Sequence, residues 1–206
     1  MRKTLVIAGI STEVGKTLVS AIFTEALEAD YWKPVQSGSI SDSDTAAVSE
    51  GISNLKSTLH PESYLLKEPL SPHAAAALEN IQIDLNKIKV PATNNHLIIE
   101  MAGGLMVPLN DTQLSLDLLK EWKFPVVLVA NYYLGSINHT LLSIDALRSN
   151  SIPIHSIIFN GTCVPASKEA VLRYAKVEHY FEIPALDVIN KQTIKNYAQQ
   201  IADHIW

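Results

Sequence analysis

The chain has 206 residues, of which 47% are hydrophobic and 18% charged, and its formal net charge is −5. This composition is ordinary for a soluble α/β protein, and the negative charge argues against a general nucleic-acid binder. Cys163 is the only cysteine, which rules out an internal disulfide and a cysteine-rich metal site. No apolar run approaches the ~20 residues of a membrane span. We therefore expect a cytoplasmic enzyme with one domain over residues 1–206, no targeting peptide, and neither a membrane nor a nucleic-acid partner.

The opening segment carries the strongest functional signal. An apolar run over residues 4–8 leads into a loop, Gly9-Ile10-Ser11-Thr12-Glu13-Val14-Gly15-Lys16-Thr17, and a helix-compatible pattern follows. The backbone N–H groups of such a loop favour an anion, Lys16 adds a cation, and the Thr17 hydroxyl can bind Mg²⁺. The common phosphate loop has four residues between its first glycine and the Gly-Lys-Ser/Thr end, whereas five lie between Gly9 and Gly15 here. The alternative is therefore an ordinary strand-to-helix turn. The context of strand and helix favours a site for a nucleoside triphosphate.

Apolar strands alternate with helical segments along the rest of the chain. The predicted strands are Tyr31–Val35, Leu97–Glu100, Pro125–Ala130 and Ile154–Phe159. The predicted helices are Thr45–Glu50, a segment that starts at Ser71 and Pro72 and continues to Glu79, Thr112–Trp122, Ser136–Ser149, Lys168–Lys176 and Thr193–Trp206. Residues 51–67 have no regular pattern. This alternation predicts an α/β fold with a mostly parallel central sheet and helices on both faces.

Candidate chemical groups follow the predicted strands, where ligands of such sheets bind. Glu100 ends a buried strand and could hold Mg²⁺, with the alternative that it is a surface residue. Asp42 and Asp44 lie in a polar loop, and each is either a second metal ligand or part of a turn. Lys33 also ends a strand, and Asn160 follows another. We expect Glu100, Lys33 and Asn160 to converge on the nucleotide, together with Lys16 and Thr17 after the first strand.

Two histidines, His73 and His139, have no second histidine at metal-ligand spacing, so capping or packing is the favoured role for both. The segment from Gly135 to His139 is more informative as backbone, because it opens a helix. Helix N-termini bind carboxylates and phosphates through their N–H groups.

Several motifs follow the phosphate loop in a fixed order along the chain. They are Lys33-Pro34-Val35-Gln36-Ser37-Gly38, the loop residue Asp44, Ser71-Pro72-His73, Glu100-Met101-Ala102-Gly103-Gly104, Leu134-Gly135-Ser136-Ile137-Asn138-His139 and Asn160. This ordered set resembles the dethiobiotin synthetase family from about Thr4 to Leu186, and the five-residue spacer of the phosphate loop is normal in that family. The resemblance implies a three-layer P-loop NTPase fold.

The resemblance also implies a role for each matching position. Lys16 and Lys33 would be the catalytic residues, and Thr17, Asp44 and Glu100 would surround Mg²⁺. The implied nucleotide-binding residues are Glu13, Val14, Gly15, Lys16, Thr17, Leu18, Asp44, Glu100, Met101, Ala102, Gly103, Asn160, Gly161, Pro184, Ala185 and Leu186. The implied substrate-binding residues are Thr12, Lys33, Ser37 and, from the neighbouring subunit of a homodimer, Gly135, Ser136, Ile137 and Asn138.

The implied reaction is ATP-dependent ring closure of 7,8-diaminononanoate with CO₂ to give dethiobiotin, ADP and phosphate, in biotin biosynthesis. Two other classes share the expected fold: an ATPase that switches between partners and a small-molecule kinase. Some positions depart from the family pattern. Met101 replaces a glycine and is expected to crowd the loop beside the nucleotide, and Tyr133 stands where a basic residue is common. The short segment after Leu186 suggests weak discrimination between ATP and other triphosphates.

Overall fold

The computed structural model describes residues 2–38 and 43–202. The strands are β1 Thr4–Gly9, β2 Asp30–Trp32, β3 Val35–Ser37, β4 Leu59–His60, β5 Tyr64–Leu66, β6 Leu97–Gly104, β7 Val126–Asn131, β8 Ile154–Asn160 and β9 Tyr180–Ile183. The helices are α1 Lys16–Leu27, α2 Asp44–Gly51, α3 Pro72–Leu78, α4 Ser115–Trp122, α5 Ser136–Ser149, α6 Pro165–Ala175 and α7 Lys191–Ala202. A short 3₁₀ helix covers Leu85–Lys87.

Seven of the strands form one parallel sheet in the order β4-β2-β6-β1-β7-β8-β9, and β3 pairs with β5 in a small second sheet. All the strand pairs of the large sheet are parallel. β1 lies at the centre between β6 and β7, with Ile7 opposite Glu100 on one side. The parallel sheet predicted from the alternation of elements is confirmed.

The two faces of the sheet are both covered by helices. Side chains alternate along β1, so that Leu5 and Ile7 join a core with α1 and α7, whereas Val6 and Ala8 join a second core with α3 and α4. β7 is buried from Val126 to Ala130. All five residues are apolar, because a strand that is covered on both faces needs a continuous apolar run.

Several predicted boundaries agree with the structure and others do not. Helix α5 has the predicted bounds, and α3 begins at Pro72 with Ser71 as its N-cap. The short strand predicted over residues 31–35 and ended by proline corresponds to β2 of the large sheet, whereas Val35 belongs to β3 of the small sheet. Pro34 separates them, because proline has no N–H for the sheet ladder.

The segment 51–67 contains the short strands β4 and β5 in place of the expected irregular chain, and β9 was not predicted. The last predicted helix begins at Lys191 and is described to Ala202; residues 203–206 lie outside the described part. In the described ranges, no helix has both the length and the apolar character needed to cross a bilayer.

Candidate active site

The loop between β1 and α1 is a tight turn that is held by Asn160 at the end of β8. Gly15 precedes α1 in the left-handed region at φ 95°, and a Cβ there would lie 2.1 Å from Asn160 Nδ2. Asn160 Nδ2 instead donates to the Val14 carbonyl at 3.0 Å. Glycine is therefore required at position 15 both by the backbone conformation and by the approach of Asn160.

Lys16 is the first residue of α1, and its ammonium folds back over the loop. Its Nζ donates to the Ser11 carbonyl at 2.9 Å, and the side chain is largely buried. Burial, followed by the neighbouring charge of Lys33, lowers the pKa of Lys16 to about 8. The loop thus combines backbone donors, a helix N-terminus and one adjustable cation, which is the arrangement that phosphates prefer.

Four side chains from four parts of the chain meet beside this loop. The Thr17 hydroxyl lies 2.5 Å from Asp44 Oδ1 and 3.0 Å from Glu100 Oε1. Lys33 Nζ forms ion pairs with Asp44 Oδ2 at 2.8 Å and Glu100 Oε1 at 2.9 Å. Glu100, Lys33 and Thr17 were predicted to converge from their positions after strands, and the structure brings them together. Asp44, for which a metal ligand and a turn residue were equally open, lies with them.

The cluster is strongly buried, so its charges depend on one another. Lys33 is 3% exposed and Glu100 is 1% exposed. Burial by itself lowers the pKa of Lys33, but the carboxylates of Glu100 and Asp44 outweigh it and raise that pKa above its usual value. Burial raises the pKa of Asp44, and the Lys33 ammonium outweighs that effect, so the Asp44 carboxyl titrates below its usual range. The Lys33 ammonium and the Asp44 carboxylate therefore stay charged together at neutral pH.

Strand alternation explains how these groups face each other. β2 pairs with β6 so that Tyr31 lies opposite Ile98 and Trp32 opposite Ile99. Successive side chains point to opposite faces of a sheet, so the face that carries Tyr31 also carries Glu100. Tyr31 is fully buried, and its hydroxyl donates to Glu100 Oε2 at 2.9 Å. Burial and the Glu100 charge raise the pKa of Tyr31 well above its usual value, so the hydroxyl remains a donor.

The same alternation corrects the expectation for Met101. Its side chain points to the opposite face from Glu100 and is buried in the second core, with Trp32 and Ile99. Met101 therefore does not crowd the ligand side of the strand. Its carbonyl oxygen, 3.4 Å from Lys33 Nζ, is the part that reaches the charged cluster.

A cavity of about 1020 Å³ opens beside the charged cluster. Its polar wall includes predicted residues from all the early motifs: Thr12, Glu13, Gly15, Lys16, Thr17, Lys33, Ser37, Asp44, Glu100, Ala102 and Gly103. Its apolar wall was not predicted and includes Val35, Leu70, Pro72, Leu105, Met106, Val107 and Leu142. The cavity thus offers a charged end next to the phosphate loop and an aliphatic remainder.

Ser37 contributes a hydroxyl that is available to a ligand in this cavity. Its Oγ is buried, and none of the described residues offers it a hydrogen-bond partner. A buried hydroxyl without a partner is costly, and a bound polar molecule would relieve that cost.

The remaining predicted residues lie around the cavity without lining it. Val14 is buried in the core beside α1, and Leu18 packs against the same core. Asn160 and Gly161 lie at the carboxyl edge of the sheet, where Gly161 N donates to Ile183 O and so brings Pro184, Ala185 and Leu186 close to Asn160. Pro184 and Ala185 are exposed. Asp42, the other loop aspartate, lies outside the described residues.

The start of α5, up to Asn138, does not line the cavity of the same chain, whereas residues from His139 onward do. Gly135, Ser136, Ile137 and Asn138 are absent from the cavity lining, whereas His139, Leu142, Ser143 and Ala146 belong to it. His139 accepts or donates a 2.7 Å bond with the Tyr133 hydroxyl, and His73 pairs with Ser71 at 3.1 Å. Leu134, beside the helix start, is fully exposed.

The charged cluster supplies part of a ligand shell for a metal ion. In residues 2–38 and 43–202, no group of three or more His, Cys, Asp or Glu side chains could hold one. Thr17, Asp44 and Glu100 provide one hydroxyl and two carboxylates, which are oxygen ligands of the kind that Mg²⁺ prefers. Such a partial shell fits an ion that is completed by nucleotide phosphates and water.

Comparisons with known proteins place this chain in a family. A family model described as an AAA domain matches residues 3–193. The ATP-dependent dethiobiotin synthetase BioD of Christiangramia forsetii is 45% identical over 200 residues, which cover 97% of this chain and 96% of that protein. The protein of the same name from Cytophaga hutchinsonii is 44% identical over 199 residues, with 96% of each chain covered.

Solved structures support the fold alone. A ParA family ATPase from Chlorobium tepidum superposes with a TM-score of 0.62 at 11% identity, covering 97% of this chain and 99% of that one. A putative plasmid partition protein from Borrelia burgdorferi gives a TM-score of 0.58 at 14% identity, with coverage of 100% and 97%. The α/β fold is therefore shared with these two proteins, whereas the sequence matches along nearly the whole chain are to synthetases. The chain belongs to the dethiobiotin synthetase family of ligases.

Proposed function

We propose that the protein uses ATP to close 7,8-diaminononanoate and CO₂ into dethiobiotin, a step of biotin biosynthesis. The observation that carries the proposal is the placement of Lys16 and Lys33 together with Thr17, Asp44 and Glu100 at one end of the cavity. A switching ATPase needs the phosphate loop but has no use for a buried lysine and an unpartnered serine in a substrate-sized cavity.

The lysines suit the chemistry of an amine substrate. An alkylamine is mostly protonated at neutral pH, since its pKa is near ~10. Positive charge on Lys16 and Lys33 disfavours the ammonium form and favours the amine that attacks CO₂. The nitrogen forms a bond to carbon and loses a proton, which gives a carbamate anion that the same cations stabilise.

ATP then transfers its γ-phosphoryl group to a carbamate oxygen. The second amine attacks the carbamate carbon of this mixed anhydride, phosphate leaves, and the cyclic urea is formed with the loss of one proton. Lys16 lies where charge accumulates on the transferring phosphoryl group, and such fixed charges are typically the largest contribution in this chemistry. The apolar wall of the cavity would hold the aliphatic chain of the substrate.

Thr17, Asp44 and Glu100 would hold Mg²⁺ with the nucleotide. When bound, the ion would neutralise phosphate charge during transfer. Lys33 pairs with both carboxylates but compensates only one of their two negative charges, so the cluster could still accept a divalent cation.

The substrate carboxylate is assigned to the start of α5 in a neighbouring copy of the chain. Gly135 and Asn138 are exposed and do not line their own cavity, and fully exposed Leu134 adjoins them. An exposed leucine beside a helix start suits a contact between two chains, and the N–H groups of that helix start suit a carboxylate. We therefore propose a homodimer with composite substrate sites.

The decisive experiment measures phosphate release and dethiobiotin formation by the purified protein with ATP, Mg²⁺, bicarbonate and the diamine. We expect turnover only when all four are present. Lys16→Ala should lower kcat by roughly 10²–10³-fold, because it removes a fixed positive charge from the phosphoryl group. Lys56→Ala, at an exposed lysine, is the control and should leave kcat unchanged.

Two results would contradict the proposal. ATP hydrolysis that does not depend on the diamine but is stimulated by a protein or membrane partner would identify a switching ATPase. Phosphoryl transfer to the diamine without bicarbonate would identify a kinase.

A further inference from the structure

One buried contact of the charged cluster is not explained by the proposed chemistry. Tyr31 lies on β2 and is fully buried, yet its hydroxyl reaches Glu100 Oε2 at 2.9 Å. Tyr31 does not line the cavity and so has no route to a substrate. The only hydrogen bond that its side chain makes among the described residues is with a carboxylate that we assign to the metal ion.

The two oxygens of Glu100 have different partners. Oε1 accepts from the Thr17 hydroxyl at 3.0 Å and lies 2.9 Å from Lys33 Nζ. Oε2 accepts from Tyr31 alone among the described residues. Rotation of the carboxylate is therefore limited by donors from α1, from β2 and from the segment just after β2.

We propose that Tyr31 is a positioning residue that fixes Glu100 so that only Oε1 is presented to the divalent ion. The inference rests on the proposed metal role of Glu100. Mg²⁺ requires a compact octahedral shell and binds carboxylates through one oxygen with several waters retained, whereas Ca²⁺ is larger and accepts both oxygens of a carboxylate. A tyrosine bound to Oε2 thus favours the smaller ion.

The test is Tyr31→Phe, which removes one oxygen atom and keeps the ring. The affinity for Mg²⁺ is measured by calorimetry in the presence of a saturating non-hydrolysable ATP analogue, and the affinity for the analogue alone is measured in EDTA. We expect the Kd for Mg²⁺ to rise about tenfold and the preference for Mg²⁺ over Ca²⁺ to fall. Binding of the analogue without metal should change less than twofold.

Tyr64→Phe is the matched control. The Tyr64 hydroxyl accepts from Asp84 N at 3.0 Å, and the residue lies on β5 outside the cavity lining. Its loss should lower the Tm without changing the Mg²⁺ affinity. A second comparison uses Glu100→Gln: if Tyr31 acts through Glu100, Tyr31→Phe should have no further effect on Mg²⁺ binding in that background.

Unchanged Mg²⁺ affinity and Mg²⁺/Ca²⁺ preference in Tyr31→Phe would overturn the inference while leaving the proposed function intact. A wild-type protein whose analogue binding is not coupled to Mg²⁺ would instead overturn the metal assignment itself. If Tyr31→Phe does not fold, Tyr31→Met removes the same hydroxyl with a more adaptable apolar side chain, and the same measurements apply.

Discussion

Lys33 holds together a site that would otherwise be unstable. Asp44 and Glu100 both lie within 3 Å of its ammonium, and Glu100 is almost completely buried. Removing one partner of a buried ion pair leaves an uncompensated charge, which costs far more than the loss of a surface pair. The lysine thus has a structural role in addition to its proposed role toward the carbamate.

Lys33→Met should therefore destabilise the fold by about 3–5 kcal/mol in urea unfolding. Added Mg²⁺ should recover part of that loss, because a divalent cation can compensate the two carboxylates. Lys56→Met is the control: its partner Glu28 is exposed, and the expected cost is below about 1 kcal/mol. Equal losses for the two variants would show that the Lys33 pair contributes no more than a surface pair.

The ammonium of Lys16 should couple nucleotide binding to pH. Its pKa is about 8 in the unliganded protein, and bound phosphates favour the charged form. Nucleotide binding should therefore take up protons above pH 8 and none near pH 6.5, and affinity should fall as the pH rises through 8. Calorimetry in two buffers of different ionisation enthalpy measures the uptake.

Lys16→Arg is the control for this linkage, since arginine stays protonated throughout the range. Proton uptake that persists in Lys16→Arg would assign the titration to another group.

At the scale of elements, β2 lies between a hydrogen-bonded aspartate at its start and the lysine of the charged cluster just after its end. Asp30 begins the strand and Lys33 follows it. Asp30 accepts from Thr93 Oγ1 at 2.6 Å and from Thr58 N at 2.9 Å, and it lies 3.1 Å from His60 Nε2. These bonds fix the strand that carries Tyr31 to its neighbours β4 and β6.

Asp30→Asn should destabilise the protein in a pH-dependent way. Burial raises the pKa of Asp30, but the hydrogen bonds outweigh it and the pKa lies below its usual value. The ionised carboxylate therefore contributes stability above the unfolded pKa near ~3.9, and the contribution is lost as the pH falls through the folded pKa. We expect a difference of about 1–2 kcal/mol at pH 7 that shrinks below pH 4.

Urea unfolding at pH 7 and pH 3 checks this prediction. Asp145→Asn, at an exposed aspartate of α5, should show no comparable difference at either pH. A constant difference for Asp30→Asn at both pH values would assign its effect to packing.

Local sequence signals predicted the elements that depend on nearby residues. Helix α5 was predicted with its bounds because Gly135 precedes a regular apolar pattern at Ile137, Leu141 and Ile144. The meeting of Thr17 and Glu100 could be expected, since ligands bind at the carboxyl ends of parallel strands. Asp44 lies in a loop, and only the family resemblance placed it with them.

Features that depend on strand order could not be predicted in this way. The contact between Tyr31 and Glu100 requires β2 to lie beside β6, 67 residues later in the chain. The predicted strand ended at Glu100, whereas β6 continues to Gly104. Because Met101 is therefore part of the strand, its side chain points to the face opposite Glu100 and is buried. The short strands β4, β5 and β9 have too few residues for a periodic signal, and pairing rather than propensity determines them.

For the whole molecule, we expect each substrate site to combine the phosphate loop of one chain with the start of α5 of its partner. Asn138→Ala should raise the KM for the diamine and leave the KM for ATP unchanged, because Asn138 would bind only the substrate carboxylate. Mixing Lys16→Ala chains with Asn138→Ala chains should restore about a quarter of the wild-type activity at diamine concentrations far below KM, since half of the dimers are mixed and each has one intact site.

The control is a mixture of two preparations that carry Lys16→Ala and Thr17→Ala, in which both defects fall in the same phosphate loop and no intact site can form. Mixed dimers without recovery would place the complete substrate site within one chain.

The position of β1 also has a consequence for how the protein is made. β1 is the central strand of the sheet, and its partners begin at Leu97 and Val126. During synthesis on the ribosome, this almost wholly apolar strand emerges long before either neighbour exists. Pairing over such sequence distances is slow and leaves strand edges exposed to aggregation. We therefore expect the nascent chain to be more prone to aggregation than the folded protein.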